Sequence, residues 1–409
     1  MMVKVPKHQL HTFRWKGLDA SGKKISGKSM AFESVEVRDS LQKQSIQIIR
    51  ITRQSVSSLA KLRHKINRQD ITFLTRQFAT LLNTGIPLIE AINLIRNNNP
   101  KAEMKSVLLM LCKSVESGVS ISKALQAASP HFDGFYVDMI ATGEASGNLA
   151  QVFERLAYYR EKQQALRSKV IKAMIYPAMV LITSILVGLM MMTQVIPEFE
   201  AMFKGFGASL PWFTELIIDI SHTLKRHTGS AALTIMLMVL LLTVMRKKST
   251  TVQLKLSRLA LASPIVGEIL AKASIAKFCR TLATSFSSGI PILVSIQASA
   301  KTADNYHYQQ SILAIHSDVV AGMPIHNAMR NTKTFPELVV QMILIGEETG
   351  NLDDMLNQIA DIYEFEVDDK VDNLGKIIEP LIILFLGVFI GGLVIAMYLP
   401  IFNLMSVIS

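Results

Sequence analysis

RQFATLLNTGIP, residues Arg76 to Pro87, comes back as RTLATSFSSGIP at Arg280 to Pro291. A second pair keeps nearly the same separation: GEASGNL, Gly143 to Leu149, is matched by GEETGNL, Gly346 to Leu352. Between them SGVSISKAL around Gly118 corresponds to AGMPIHNAM around Gly322. Beyond them Pro177 matches Pro380, while Pro197 and Phe199 match Pro400 and Phe402. Self-similarity at a fixed offset marks a tandem duplication, here of a soluble segment followed by a membrane-length apolar stretch.

Within each copy the apolar spacing is helical, as at Phe73, Leu74, Phe78, Leu81 and Leu82, with Gly and Pro punctuating short connections. Gly85 and Gly289 fit helix C-caps that need positive φ. Pro87 and Pro291 can each open the next helix, where a backbone N–H would have no partner anyway. Continuing through Pro100, Ser120, Phe132 and Asn148, about six helices per copy are expected, joined by the short loops usual in bundles. The last is expected to run from near Leu149 into a first span without a break, and its counterpart from near Leu352 into another.

Half of the 409 residues are hydrophobic and only 18% are charged, and the mean hydropathy is +0.32, so membrane segments are sought before any soluble fold. Ala173 to Pro197, Thr228 to Met245 and Pro380 to Ser409 lack charge, and each matches or approaches the ~20 apolar residues that cross a bilayer. Residues 1–58 carry no signal-peptide pattern, so the amino terminus is expected to stay where it is made. Arg160, Lys162, Arg167, Lys169 and Lys172 crowd the approach to the first stretch, and Arg246, Lys247, Lys248, Lys255 and Arg258 follow the second. Basic flanks mark the cytoplasmic side. The duplication makes the same demand: two cytoplasmic copies, each leaving through the membrane, need an unduplicated span to bring the chain back between them.

The expected fold class is therefore mostly α, a polytopic membrane protein with two tandem cytoplasmic six-helix bundles, three transmembrane helices and a small amino-terminal α+β appendage. The expected boundaries are the appendage and linker at 1–66, the first bundle at 67–172, spans at 173–196, 228–245 and 377–402, a periplasmic loop at 197–227, a cytoplasmic connector at 246–270, the second bundle at 271–376 and a periplasmic tail at 403–409. In the appendage, strands are expected over Phe13 to Ala20 and Ile46 to Arg50, with a helix from about Ser34 to Lys43.

Several motifs compete for a chemical reading. GKKISGKS, Gly22 to Ser29, satisfies the P-loop pattern, but the preceding FRWKGLDAS is mostly polar. No later apolar strand ends in a magnesium-binding Asp, and Ile25 to Lys28 reads equally well as the second strand of a hairpin. In the paired GE-x-[ST]-GNL segments, Gly147 and Gly350 can supply positive φ, Asn148 and Asn351 can cap the next helix, and Glu144 and Glu347 can pair with basic neighbours. One Glu and one Asn are too few ligands for a hard cation, so no metal is assigned. The nine histidines form no zinc motif, no nucleophile elbow is present, and the spans lack the acidic or basic residues of an ion path. Glu379 stands at the mouth of the last span before Pro380, where the proline suits a first helical turn and the carboxylate a helix start. Cys112 and Cys279 read as packing residues. The net charge of +11 gathers at the span flanks and not on one aromatic-studded face, which argues against nucleic acid. Glu364, Glu366, Asp368, Asp369 and Asp372 occupy in copy two the region that is basic in copy one. Packing between copies or subunits and a solvated face remain equally open.

The duplicated RQ-x-A-T-x-L-x-x-x-GIP and GE-x-[ST]-GNL segments, KAMIYP before the first span, and YEFEVDD with EPLIILFLGVFIGGLVIAMYLPIFNL at the end resemble the platform proteins of type IV pilus and type II secretion machines, over about Phe13 to Leu404. The last of these and the opening FRWKGLDASGKKISG look more like the pilus branch. The resemblance implies a non-enzymatic protein of the bacterial inner membrane, without cofactor or metal, and often self-associated into a homo-oligomer. Its partners would be a cytoplasmic assembly or retraction ATPase, pilin subunits, inner-membrane alignment proteins and membrane lipid. The alternatives are a secretion platform and, more distantly, a small-solute transporter or channel. The candidate structural or interaction positions are Gly85, Pro87, Gly143, Glu144, Gly147, Gly289, Pro291, Gly346, Glu347, Gly350, Glu379 and Pro380.

Overall fold

Three strands, β1 (His11–Leu18), β2 (Lys24–Ala31) and β3 (Gln47–Gln54), pair antiparallel in the order β2-β1-β3, with α1 (Ser34–Lys43) between β2 and β3. The structure is a computed structural model, and it describes residues 11–43, 45–54, 64–198, 201, 212–221, 223, 234, 237–238, 250–264 and 266–408. The P-loop-like GKKISGKS is the turn and second strand of a hairpin. Asp19 accepts hydrogen bonds from the N–H groups of Ser21 and Lys23, Gly22 takes φ +80°, and Ser29 lies opposite Phe13 in the β1–β2 register. Ser29 Oγ accepts from the Trp15 indole at 3.0 Å, and a Cβ on Gly27 would run into that indole ring. Among the described residues the only sheet is this antiparallel one, and a P-loop depends on a parallel strand feeding a helix.

Copy one follows as α2 (Arg68–Asn83), α3 (Leu88–Asn98), α4 (Ala102–Glu116), α5 (Ile121–Ala128), α6 (Gly134–Ala145) and α7 (Leu149–Met190), the last continued by a π turn, Met191–Val195. After α8 (Thr250–Leu261), copy two runs α9 (Val266–Ser287), α10 (Ile292–Thr302), α11 (Tyr306–Val320), α12 (Ile325–Thr332), α13 (Glu337–Thr349) and α14 (Leu352–Ile408). The boundaries follow from local chemistry. Asn67 closes a reciprocal capping box with Asp70 at the start of α2, and Asp133 caps α6 by accepting from the Tyr136 N–H at 2.9 Å.

The chain is mostly helical and divides into two compact units. Unit 1 takes in Met1–Ala165, Ser274–Asp304 and Tyr308–Asp361, and so holds the appendage and most of both copies. Its core joins Phe78, Leu108, Leu125, Tyr136, Phe153 and Leu156 of copy one to Ile290 and Ala298 of copy two. Unit 2 takes in Leu166–Ala273, Asn305–His307 and Ile362–Ser409. There Val367, Val371 and Leu374 of α14 pack with Ile269 of α9 and with Leu166 and Val170 of α7.

Two helices among the described residues are long and apolar enough to cross a membrane, Leu149–Glu198 and Leu352–Leu399. The bent pair Thr250–Ala262 and Val266–Ser287 turns by 112°. Its second helix carries Glu268 and Lys272 in ion pairs and buries Phe278 and Leu282, so it is a bundle helix by its surroundings. Most of the expected middle span at 228–245 lies outside the described residues. Where the two long helices meet in unit 2, a Cβ on Gly188 would collide with the Phe389 ring, which is the close approach small residues permit in membrane packing. The Thr214 hydroxyl there donates to the Ala396 carbonyl at 2.8 Å.

Candidate functional site

The paired GE-x-[ST]-GNL segments form equivalent junctions. Gly147 and Gly350 have φ of +71° and +73°, and the following Asn148 and Asn351 N–H groups return to the carbonyls of Gly143 and Gly346 at 2.8 and 3.0 Å. This is the Schellman closure, which needs a left-handed residue just past the helix. Gly85 and Gly289, at φ +82° and +86°, end α2 and α9 in the same way, and Pro87 and Pro291 immediately precede α3 and α10. A Cβ on Gly143 would press on Val152 at 2.8 Å, and one on Gly346 on Leu352 Cα at 3.0 Å, so both glycines let the next helix come close.

The two glutamates serve the helix in front of them. Glu144 accepts from the Ile121 N–H at 2.8 Å, the Ser122 N–H at 3.4 Å and the Ser122 hydroxyl at 2.9 Å. Glu347 accepts from the Ile325 and His326 N–H groups at 2.6 and 3.0 Å and meets His326 Nδ1 at 2.6 Å. Each carboxylate thus caps the first turn of the short helix α5 or α12, where unpaired N–H groups and the helix dipole favour negative charge. Among the described residues the expected basic partner is found for Glu347, as His326, and not for Glu144. Glu144 takes backbone and serine donors because those are the groups a helix start presents. The Asn148 side-chain amide, expected to cap α7, donates to Gln151 Oε1 at 2.7 Å. Among the described residues no three His, Cys, Asp or Glu side chains gather into a metal cluster.

Arg76 and Arg280 are the first residues of the repeated motif, and their role depends on contacts distant in sequence. Each ties its copy's opening helix to its closing one. Arg76 reaches Glu154 and, bidentately at 2.6 and 2.7 Å, Glu161 on α7. Arg280 donates to Asn357 at 2.9 Å and Asp361 at 2.5 Å on α14, with its guanidinium 5.8 Å from the Tyr158 ring of copy one. The contact between copies continues through the Tyr159 hydroxyl, 3.1 Å from Thr281 Oγ1, and through Arg155, which donates to the Ser287 carbonyl and to Ser288 Oγ. Burial pushes Tyr159 and Tyr136 up to about 12 and raises the Cys279 thiol, so all three stay protonated packing groups.

Glu366, Asp368 and Asp372 of the acidic run of copy two are paired with lysines, and Asp361 just before the run also faces one. In unit 1 Lys162 stands 3.9 Å from Asp361. In unit 2 Lys169 bridges Asp368 and Asp372 at 3.3 and 3.0 Å, and Lys272 joins Glu268 and Glu366 at 2.8 and 2.9 Å. These carboxylates remain well exposed, so the seam sets register more than it adds stability. Glu379 and Pro380 lie within α14, far from its start at Leu352. The helix-start argument for them therefore fails: the bundle helix and the span are one helix, and the dipole's end is in the bundle.

A duplicated helical bundle, each copy ending in a single helix that carries on to membrane length, defines a class of membrane protein. The family model described as type II secretion system (T2SS), protein F matches residues 74–197 and again 278–400, and the model of that protein's N-terminal domain matches 10–52; the chain belongs to this family. It is 42% identical to type IV pilus assembly protein TapC of Aeromonas hydrophila over 97% of this chain and 96% of that protein. It is 35% identical to type IV pilus assembly protein PilC of Pseudomonas aeruginosa over 91% of this chain and 100% of the other. Type II secretion system protein F of Vibrio cholerae is 29% identical over 97% and 99% of the two chains.

Proposed function

We propose that this chain is a non-enzymatic inner-membrane platform for type IV pilus biogenesis, coupling a cytoplasmic assembly or retraction ATPase to the insertion or removal of pilin subunits. The observation that supports it best is the pair of long helices. Leu149–Met190 and Leu352–Ile408 each join a bundle to membrane-length apolar sequence without a break in the chain's helical path. By the helical rise, the part of α14 before Ile377 is a strut of roughly 40 Å, suited to carrying a push on the bundle into the bilayer. Higher identity to the pilus relatives than to the secretion relative favours the pilus branch.

In this reading each copy is a cytoplasmic six-helix bundle, a third span at 228–245 returns the chain, the amino terminus is cytoplasmic and the carboxyl terminus periplasmic. The protein self-associates and also meets the alignment proteins and lipid of the inner membrane. Glu144, Glu347 and the junction glycines hold the bundles in shape, while the ATPase and pilin dock elsewhere on them. The test is to delete the gene in its own host. Surface pili should vanish while pilin remains in the membrane and protein secretion continues. Pili retained with secretion lost would move the chain to the secretion branch, and both retained would refute the platform role.

A further inference from the structure

Within unit 1 the two copies meet through different faces. Copy one offers α6 and α7, with the Phe135 ring packed at a tilt against Tyr159, centroids 4.9 Å apart. Copy two offers α9 and α10, with Thr281 on Tyr159 and with Ile290 and Ala298 in one core with Phe135. Lys301 of α10 lies near enough to Asp138 of α6 to oppose the rise that burial causes in that carboxyl.

A two-fold contact would use the equivalent faces reciprocally, α2 and α3 of copy one covering α13 of copy two. Those faces keep exposed apolar residues. Counted from the paired Gly147 and Gly350, Leu338 stands at the place of Phe135, Gln341 at that of Asp138 and Ile345 at that of Thr142. Leu338 and Ile345 share one stripe of α13 and are each 50% exposed. Counted from Pro87 and Pro291, Ile86 stands at the place of Ile290, Leu94 at that of Ala298 and Asn97 at that of Lys301; Leu94 is 39% exposed. The chain thus carries much of its own internal contact a second time. Leu338 and Leu94 keep it apolar where Phe135 and Ala298 stand inside the chain, the amides Gln341 and Asn97 replace the Asp138–Lys301 charges, and Ile362 and Gln77 stand in place of Tyr159 and Thr281.

We propose that a second copy of this chain docks head to tail, laying its α2–α3 face around Leu94 on the α13 face around Leu338 and so repeating between chains the contact that joins the two copies within one. A heterologous contact of this kind leaves one free face at each end, and it propagates until a ring closes or the row stops. The proposal gives the self-association in the functional reading a surface. It rests on the duplication, so its failure would leave the pilus test untouched.

The test uses the full chain in native membranes. Two differently tagged versions are coexpressed, one with Leu338→Cys and the other with Leu94→Cys, and treated with a short bis-maleimide crosslinker. Cys112 and Cys279 are buried, and a chain without added cysteine is the control. The expected product carries both tags, with same-position pairs absent, and adding Leu338→Glu to the second chain leaves that product intact; with the first chain's cysteine moved to Ile345→Cys the product still forms, and adding Leu338→Glu beside that cysteine removes it without loss of protease resistance. Dominant 338–338 or 94–94 products would show a two-fold contact and overturn the proposal. So would absence of any interchain product, whether maleimide labelling finds the two cysteines open or shows them covered by lipid or another protein.

Discussion

The two copies share a backbone plan and differ in what they do with the same arginine. Arg76 of copy one is 32% exposed and holds two carboxylates, Glu154 and Glu161. Arg280 of copy two is 2% exposed, bonded to one amide and one carboxylate and overlain by Tyr158. The difference comes from the interface, because copy one's α7 lays Tyr158 and Tyr159 over Arg280 and Thr281 of copy two's α9. A guanidinium stripped of water depends on its fixed partners, whereas one at the surface can fall back on solvent. Duplication supplied two equal clamps, and the asymmetric contact made one of them indispensable.

The largest effect should therefore be at Arg280. Arg280→Met should cost about 2–4 kcal/mol, toward the lower side of a broken buried pair because Asp361 can still reach water, while Arg76→Met should cost no more than about 1 kcal/mol, as for an exposed pair. Pulse proteolysis in urea on the detergent-solubilised protein measures both, and equal losses would break the comparison.

The glutamate caps come next. Glu144→Ala and Glu347→Ala should each cost about 1–2 kcal/mol by leaving helix-start N–H groups unpaired, and the Gln variants roughly half as much because one acceptor oxygen remains. Hydrogen exchange at the Ile121 and Ile325 amides should accelerate in the matching variant alone. Gly147→Ala and Gly350→Ala should cost about 1 kcal/mol each through strain at positive φ, and since the conformations are nearly identical, unequal losses would show that something beyond the backbone distinguishes the two junctions.

The smallest effect is that of pH. The hydrogen bond from Arg76 holds the Glu161 carboxyl below its ordinary value of 4.5. A carboxyl whose pKa falls on folding contributes stability in full above its unfolded value and loses it as pH drops through the folded one. The proteolysis midpoints of the wild type and Glu161→Gln should thus differ at neutral pH and converge below the ordinary value of 4.5.

What could be read from the sequence was what one segment decides alone. Gly85, Gly147, Gly289 and Gly350 announced positive φ, because a glycine after a helical run, followed by a chain reversal, has one common use. The hairpin at Gly22 to Ser29 was legible against its P-loop disguise for the same reason. The glutamates were not, since Glu144 near the end of α6 reaches back to Ile121 and Ser122 at the start of the preceding helix. Nor was the contact of Tyr159 with Thr281, which joins copies far apart in the chain. Arg76 and Arg280 sat in full view, and the signal that could have found them is that the same charged residue opens both copies of the repeated motif inside a helix. Glu379 and Pro380 mislead by sequence alone, because a proline that suits a first helical turn here sits inside a longer helix.

The central claim is that both copies lie on one side of the membrane and that a span near 228–245 brings the chain back between them. Reporter fusions at Lys65, at Lys272 and after Ser409 test it directly, using one reporter active only in the cytoplasm and one active only in the periplasm. The account predicts cytoplasmic signal at Lys65 and Lys272 and periplasmic signal after Ser409. Lys65 and Lys272 on opposite sides, or a cytoplasmic carboxyl terminus, would contradict it.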